Sequence, residues 1–310
     1  MGLTLPFIDS LLREHRHRPV IGDVVLIGRQ TVYLTPAELL SLMSEHGIAS
    51  AGVAPDDIEI DRSTVNRLGG GAAPNLISDR ALFRLLGASR VSALDHDSYE
   101  GAEIIHDLNR PLPPELRNSA DFIVDGSTLD NVFDPAIAIR NFAEMMRPGG
   151  RLLMLNMYSN DHEPYCIVPP LWFLDYFVVN GFADCKVYII VQTAPYNVFT
   201  VDIDMLLDPT RSVSAFSSPF EMFTLVLAEK KERSTSHATP VQQHYRSAED
   251  WERYRRSLAQ IKGSPRPHIA RSAGDIVFFD VKGGHLFMDR HFAAQDPLTV
   301  IRRLHPDYGR

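Results

Sequence analysis

The feature that most constrains the fold of this chain is a set of three short apolar runs, each leading into an aspartate. The runs and their acids are Val91–Leu94 with Asp95, Ile104–Ile105 with Asp107, and Phe122–Val124 with Asp125. Short, continuous apolar runs are typical of parallel strands, because both faces of such strands are covered by helices. In open α/β sheets, ligands bind outside the carboxyl ends of the strands, where an acid commonly binds the hydroxyls of a ribose. The spacing therefore predicts a parallel sheet with a ligand crevice lined by carboxylates.

The sequence around these runs alternates between strand and helix patterns. A short amphipathic helix is expected in the first twenty residues, and a first strand over Asp23–Ile27, which Gly28 follows. Further helices are predicted at Ala37–His46, Arg80–Leu86, Ala136–Met146, Leu171–Val179, Ala248–Lys262 and Leu298–Leu304. Further strands are predicted at Arg151–Asn156, Cys185–Gln192, Met222–Leu227 and Ile276–Val281, with the second and third of these paired at the sheet edge. This alternation predicts a right-handed, parallel α/β sheet.

Changes in composition suggest where the chain divides. Residues 48–77 are weakly patterned, contain Gly69–Gly71, and are interpreted as an insertion or loop. Beyond Lys230 the sequence becomes rich in Ser, Thr, His and Gln, which predicts a mobile linker over 232–245. We therefore expect one domain over residues 1–230, with an insertion at about 48–77, and a linker with a C-terminal appendage over 231–310.

Charge and composition argue against several classes of partner. The formal net charge of -8 disfavours binding to nucleic acid or to anionic lipid. No apolar run reaches the roughly 18 residues that a membrane-spanning helix needs. Two cysteines are too few for a disulfide framework or a cysteine zinc site, and we assign no metal. The N-terminus lacks the pattern of a signal peptide, so a cytoplasmic location is expected.

Four segments, in this order, carry a resemblance to a known family. They are LLGASRVSALDHDSYEGAEIIHDLNRPLP, DFIVDGSTLDNVFD, RPGGRLLMLN and NGF, and together they cover roughly residues 78–190. The set resembles class I S-adenosylmethionine-dependent methyltransferases, most closely bacterial methyltransferase-domain proteins. The resemblance implies an α/β fold: a Rossmann-like class I methyltransferase sheet with N-terminal and C-terminal additions. It also implies S-adenosylmethionine as the cofactor.

The resemblance assigns cofactor-binding roles to particular residues. It implies that Asp95, with His96 beside it, binds the ribose, and that Asp107 and Leu108 lie against the adenine. Asp125, Gly126 and Ser127 match the loop that lines the methyl-transfer site.

The sequence departs from the family at the loop after the first strand. The usual acid followed by Gly-x-Gly-x-Gly is absent, although such glycines let the backbone approach a ligand without a Cβ clash. Gly28, in Gly28-Arg29-Gln30, follows a predicted strand, whereas Gly69–Gly71 follows none. We therefore expect Gly28 to take this position.

A methyltransferase that acts on a hydroxyl or an amine must also remove a proton. His162, just past the fifth strand, and Asp130 are the candidates for this role. The alternatives are an exposed loop histidine and an acid that complements a helix dipole. Trp172, Phe173, Tyr176 and Phe177 would either wall an apolar substrate pocket or form one core face of a helix.

These features predict an enzyme that transfers a methyl group from S-adenosylmethionine to an oxygen or nitrogen of a small molecule, and they are compatible with a homo-oligomer. A catalytically inactive methyltransferase-like binding or scaffold protein is the main alternative, and a nucleotide-dependent oxidoreductase is a third. An enzyme should have an open cleft over Asp95 and Asp125. In an inactive relative, side chains from residues 28–33 or 66–76 should fill that cleft.

Overall fold

The computed structural model describes residues 2–50, 52–62, 75–158, 164–193, 197–202, 222–263, 277–281 and 284–288. Its helices are α1 (Leu5–His17), α2 (Pro36–Glu45), α3 (Asp79–Leu85), α4 (Pro135–Met145), α5 (Pro170–Val179) and α6 (Ala248–Lys262). Its strands are β1 (Gly2–Leu3), β2 (Gly22–Ile27), β3 (Thr31–Val32), β4 (Ala88–Asp95), β5 (Ile104–Ile105), β6 (Ala120–Gly126), β7 (Met146–Met157), β8 (Asp184–Thr193), β9 (Asn197–Asp202), β10 (Met222–Glu229), β11 (Val277–Val281) and β12 (Gly284–Met288).

The predicted elements within these ranges are present. The largest difference in bounds is at β7, which begins directly after α4 and includes the Pro-Gly-Gly segment that was expected only to end the helix. The helix predicted at Leu298–Leu304 lies outside the described residues.

Eight strands form one sheet in the order β5-β4-β2-β6-β7-β10-β8-β9. The first five strands are parallel to one another, whereas β10 runs antiparallel to both β7 and β8. The chain moves outward from β2 to β4 and β5 and then returns to β6 on the other side of β2. Such a reversal of strand order opens a crevice at the carboxyl ends of the strands. The predicted Rossmann-like parallel α/β sheet is therefore confirmed.

The pairing at the far side of the sheet differs in part from the expectation. Strands β8 and β10 do pair, as predicted, but β10 lies inside the sheet between β7 and β8. Strand β9, which pairs with β8, forms the edge instead.

Helices cover both faces of the sheet. Val24 and Leu26 of β2 pack into a core with α1, α2 and α3, whereas Val25 and Ile27 pack into a second core with α4, α5 and α6. Successive residues of a strand point to opposite faces, so a strand between two helical layers must be apolar throughout. This explains why the apolar runs are continuous.

Side chains at the helix starts define where the helices begin. Thr35 and Glu38 form a capping box at α2, in which each residue's side chain accepts a hydrogen bond from the backbone N–H of the other. Ser78 accepts from the N–H of Ala81 at α3, and Asp134 accepts from that of Ile137 at α4. These bonds satisfy backbone donors that the first turn leaves unpaired.

A buried ion pair fastens α1 to the sheet. The Arg151 guanidinium in β7 donates to the Glu14 carboxylate, and the exposed fractions of the two side chains are only 5% and 1%. Arg151 also donates to the carbonyls of Arg18, at 2.8 Å, and Pro19, at 2.6 Å. Its guanidinium carbon lies 5.0 Å from the centre of the Phe122 ring. Because the pair is buried, the attraction between the two charges offsets part of the free energy needed to remove them from water.

The segment expected to be a mobile linker is hydrogen-bonded to the α/β body. The Thr235 hydroxyl donates to the side-chain oxygen of Asn180 at 2.8 Å, and the Tyr176 hydroxyl donates to the carbonyl of Ser236 at 2.8 Å. These contacts hold the segment along α5. The division of the chain at residue 230 stays a prediction.

Within the part of the chain that the structure describes, every helix is too short or too polar to cross a lipid bilayer.

Candidate functional site

The register of the parallel strands brings their carboxyl ends to one edge of the sheet. Ile27, the last residue of β2, lies opposite Leu94 in β4 and opposite Asp125 in β6. Gly28, which follows β2, and Asp95, which ends β4, therefore lie side by side at this edge of the sheet. A cleft of about 370 Å³ lies above them, which is within the range of small-molecule sites.

The cleft brings together seven of the eight residues that the sequence motifs assigned to cofactor binding. These are Gly28, Asp95, His96, Asp107, Leu108, Gly126 and Ser127. Side chains that the motifs did not assign complete the lining: Arg29, Gln30, Leu94, Glu100, His106, Asn109, Thr128, Asn131 and Val132. Because lining depends on which way each loop folds back over the strand ends, sequence spacing alone does not reveal this second set.

The two acids on the β4 and β5 side have different local partners. One carboxylate oxygen of Asp95 accepts from the N–H of His96 at 2.7 Å. One oxygen of Asp107 accepts from the backbone and side-chain nitrogens of Asn109, at 2.9 and 2.8 Å. These hydrogen bonds to Asn109 lower the pKa of Asp107, which is therefore ionised at neutral pH.

The turn after β5 is also fixed to the helix that follows β6. The Asn109 side-chain oxygen accepts from the N–H of Asp134 at 2.9 Å, at the start of α4. This contact joins the two walls of the cleft at one end. It gives the Asp-Leu-Asn motif a structural role in addition to lining the cleft.

Asp125, the remaining predicted cofactor ligand, lies beneath the cleft and does not line it. Its side chain is fully buried and accepts from the N–H groups of Thr128, at 2.7 Å, and Leu129, at 3.3 Å. Burial raises the pKa of Asp125 to about 7, and the nearby carboxylate of Asp130 also acts in that direction. The Asp125 carboxylate thus shapes the turn that supports the cleft, and its contact with the cofactor stays a prediction.

Asp130, one of the two predicted proton acceptors, is likewise enclosed by the protein. Its side chain is fully buried, and one oxygen accepts from the Ser127 hydroxyl at 2.6 Å and from the N–H of Met157 at 2.7 Å. Ser127 has a φ of 78°, a backbone conformation that non-glycine residues rarely adopt. Asp130 therefore holds a strained residue in place at the cleft wall. The other predicted proton acceptor, His162, lies outside the described residues.

Side-chain hydrogen bonds fix the loop that lacks the usual glycines. Gly28 supplies the one positive φ, 72°, at the end of β2. The Gln30 side-chain amide then reaches back and donates to the carbonyl of Ile27 at 2.6 Å, and the N–H of Gln30 donates to Asp79 at 3.0 Å. Asp79 also accepts from the Arg29 guanidinium at 2.6 Å. The loop is thus held by a buried amide and by the first residue of α3 rather than by a run of glycines.

Within the part of the chain that the structure describes, this arrangement leaves the cleft open. The Arg29 side chain turns toward Asp79 and that of Gln30 toward the end of β2, so neither fills the space above Asp95. The Gly69–Gly71 segment lies outside the described residues. Among the described residues, no group of three or more His, Cys, Asp or Glu side chains is arranged to hold a metal ion.

The aromatic residues of α5 divide between the core and a second cavity. Phe173 and Phe177 are buried and pack with α4, α6 and the sheet. Trp172 and Tyr176 pack against them but also line a cavity of about 440 Å³ between α4, α5 and residues 238–243. The helical spacing of the rings had allowed a core face or a pocket wall, and the structure shows both.

Comparison with protein-family models gives no match, and none of the curated proteins matches either. Solved structures similar to this chain include a methyltransferase from Archaeoglobus fulgidus that depends on S-adenosylmethionine. It is 11% identical, with 73% of this chain and 95% of that chain covered and a TM-score of 0.36. Another is phosphoethanolamine N-methyltransferase 2 of Haemonchus contortus, solved with S-adenosylhomocysteine, at 8% identity, 73% and 53% coverage and a TM-score of 0.36.

The citrinin polyketide synthase CMeT domain is also similar, at 12% identity and a TM-score of 0.32. The alignment covers 70% of this chain, which spans about half of that one, 48%. At such identities a likeness concerns the fold alone. The fold assignment itself rests on the strand order and on the antiparallel strand β10 between β7 and β8.

Proposed function

We propose that this chain, which has the class I methyltransferase fold, binds S-adenosylmethionine in the cleft above β2, β4 and β6. We further propose that it transfers the methyl group to an oxygen or nitrogen of a small molecule. The observation that carries the proposal is the convergence of seven motif residues, from four separate segments of the chain, on one open cleft of about 370 Å³.

The residues around the cleft suit the parts of this cofactor. Asp95, at the end of β4, offers a carboxylate to the two ribose hydroxyls. Asp107 and the mostly buried Leu108 offer an acceptor for an exocyclic amine beside an apolar surface for a purine. Gly28 has no Cβ, and a Cβ built there would lie 3.8 Å from the Asp95 carboxylate, so a side chain would narrow the cleft.

The charges of the lining suit a cation. Asp95 and Asp107 line the cleft, and the arginine of the lining, Arg29, is paired with Asp79. The net field therefore favours the positively charged sulfonium of S-adenosylmethionine over a polyphosphate or a dinucleotide. When bound, the cofactor supplies an electrophilic methyl group.

The chain's own contribution to the reaction is alignment. The turn held by Asp125 and Asp130 fixes the position of Ser127 at the cleft wall. A wall of fixed shape aligns the bound reactants, and this alignment lowers the barrier to in-line transfer. We retain His162 as the proposed proton acceptor, because the imidazole of a histidine gains and loses a proton near neutral pH.

Loss of the Asp95 carboxylate is expected to weaken binding of S-adenosylhomocysteine by roughly 10- to 100-fold. A hydrogen bond to a charged group contributes about 1.5–3 kcal/mol, and each 1.4 kcal/mol is a factor of ten in affinity. Calorimetric titration of the wild type and of Asp95→Ala measures this difference, with a wild-type dissociation constant expected in the micromolar range.

Asp97→Ala is the matched control, because Asp97 is an exposed acid two residues away that does not line the cleft. Equal weakening in both variants would attribute the effect to overall charge and not to the ribose contact. If the wild type does not bind S-adenosylhomocysteine, the proposed function is wrong and the inactive, scaffold-like alternative is favoured.

A further inference from the structure

Two aromatic side chains beside the cleft are exposed and in contact with each other. The exposed fractions of Phe133 and Tyr165 are 83% and 77%. Their ring centres are 6.4 Å apart and the ring planes meet at 80°, which is an edge-to-face contact. Among the ring contacts of the described residues, this is the pair in which both rings are exposed.

The turn that forms one wall of the cleft holds both rings. Phe133 directly follows Val132, which lines the cleft. Tyr165 directly precedes Cys166, whose N–H donates to the carbonyl of Asp130 at 3.1 Å. Asp130 in turn binds the Ser127 hydroxyl at the cleft wall. Phe133 also directly precedes Asp134, whose N–H donates to Asn109 in the turn after β5. The two rings therefore lie at the wall of the cleft that the turn after β6 forms.

The patch has the size and charge environment of a small-ligand site. It consists of two rings with Ile167 beside Tyr165, whereas a stable protein–protein interface needs roughly 800 Å² from each partner. The net charge of -8 opposes attachment to an anionic membrane. The polar, acidic floor of the cleft and the apolar rings at its rim thus offer two different surfaces to two different molecules.

We propose that Phe133 and Tyr165 form the binding surface for the methyl acceptor, and that this acceptor carries a planar aromatic ring with a hydroxyl or amine substituent. Two rings in an edge-to-face arrangement let a third ring stack on one while it meets the edge of the other. The inference rests on the proposed function, since it names the substrate class of the same site.

The transfer balances with these two reactants alone. The acceptor's oxygen or nitrogen lone pair forms the new bond to the methyl carbon while the carbon–sulfur bond breaks. Sulfur keeps the electron pair of that bond, which leaves S-adenosylhomocysteine, and the acceptor's proton passes to the proposed base, His162, and from there to water.

The test measures binding of ring compounds to the protein saturated with S-adenosylhomocysteine. The probes are phenol and catechol, each compared by ligand-observed NMR with its uncharged, saturated counterpart: cyclohexanol and cyclohexane-1,2-diol. We expect each aromatic probe to bind at least about tenfold more tightly than its counterpart. Phe133→Ala and Tyr165→Ala should each weaken aromatic binding by about tenfold.

Control variants separate this role from general effects. Tyr165→Phe keeps the ring and should preserve binding, and Tyr245→Ala removes an equally exposed ring outside the cleft lining and should have no effect. Equal binding of aromatic and saturated probes, or unchanged binding in both alanine variants, would overturn the inference. So would a wild-type dimer that Phe133→Ala converts to a monomer in sedimentation, because the rings would then serve contact between copies.

Failure of this inference can be distinguished from failure of the proposed function. Calorimetric titration with S-adenosylhomocysteine tests the cofactor site independently of the rings, and neither alanine variant should change it. If the cofactor product does not bind, the same NMR comparison without it still decides whether Phe133 and Tyr165 select aromatic rings.

Discussion

Replacing Glu14 with Gln is expected to lower the free energy of unfolding by about 3–5 kcal/mol. The change removes the carboxylate that faces the Arg151 guanidinium in the buried space between α1 and β7. The hydrogen bonds from Arg151 to two backbone carbonyls remain, but a carbonyl carries no formal charge. Since the free energy of unfolding of a whole domain is only about 5–15 kcal/mol, this loss is a large fraction of it.

Urea denaturation followed by circular dichroism measures this effect. Arg13→Gln is the matched control: it removes a charge from the same helix, but the Arg13–Asp9 pair is largely exposed and should contribute less than about 1 kcal/mol. The double variant Glu14→Gln/Arg151→Gln removes both charges of the pair, so its loss of stability should be smaller than the sum of the two single losses. If Glu14→Gln and Arg13→Gln unfold at the same urea concentration, the buried pair does not contribute the stability that we expect of it.

Replacing Asp125 with Asn is expected to flatten the dependence of stability on pH. The pKa of Asp125 is raised from 3.8 to about 7 in the folded chain, chiefly by burial. Between these two values the folded state binds more protons than the unfolded state, so the free energy of unfolding falls as the pH rises. The stabilisation is fully present below about pH 4 and is lost as the pH rises through about 7. The loss approaches ~4 kcal/mol, at 1.36 kcal/mol per pKa unit.

Thermal melting between pH 5 and pH 8 tests this prediction. The amide oxygen of Asn can accept the shorter of the two hydrogen bonds, from the N–H of Thr128, so Asp125→Asn should fold while losing most of the slope. A residual slope of the same sign is expected, because burial also raises the pKa of Asp130. Asp97→Asn, at an exposed position, should keep the wild-type slope. Parallel profiles for the wild type and Asp125→Asn would contradict the assignment.

The parts of the fold that the sequence predicted are those set by local patterns. Continuous apolar runs identify parallel strands between two helical layers, and caps such as Ser78 and Asp134 identify the helix starts. The position of β10 inside the sheet was not predicted, because it depends on pairing with strands distant in sequence. The start of β7 was missed because its first residues carry no apolar run.

The candidate site shows a similar limit. The sequence showed that acids follow the strands, but it did not show to which side of the sheet each acid points. Asp125 lies two residues after Ile123 and so shares its buried face, whereas Asp95 ends its strand in the cleft. The role of Gln30 was also missed, because a side chain that folds back onto its own strand has no signature in residue spacing.

The inner position of β10 has a consequence for how the chain is made on the ribosome. This strand is the last of the eight to be synthesised, yet β7 and β8 each use it as a neighbour. Until Met222–Glu229 has left the exit tunnel, one side of β7 offers unpaired backbone groups along a run of buried apolar residues. Such an edge invites pairing with other chains. Nascent chains that have not reached this strand are therefore the species most in need of chaperone protection.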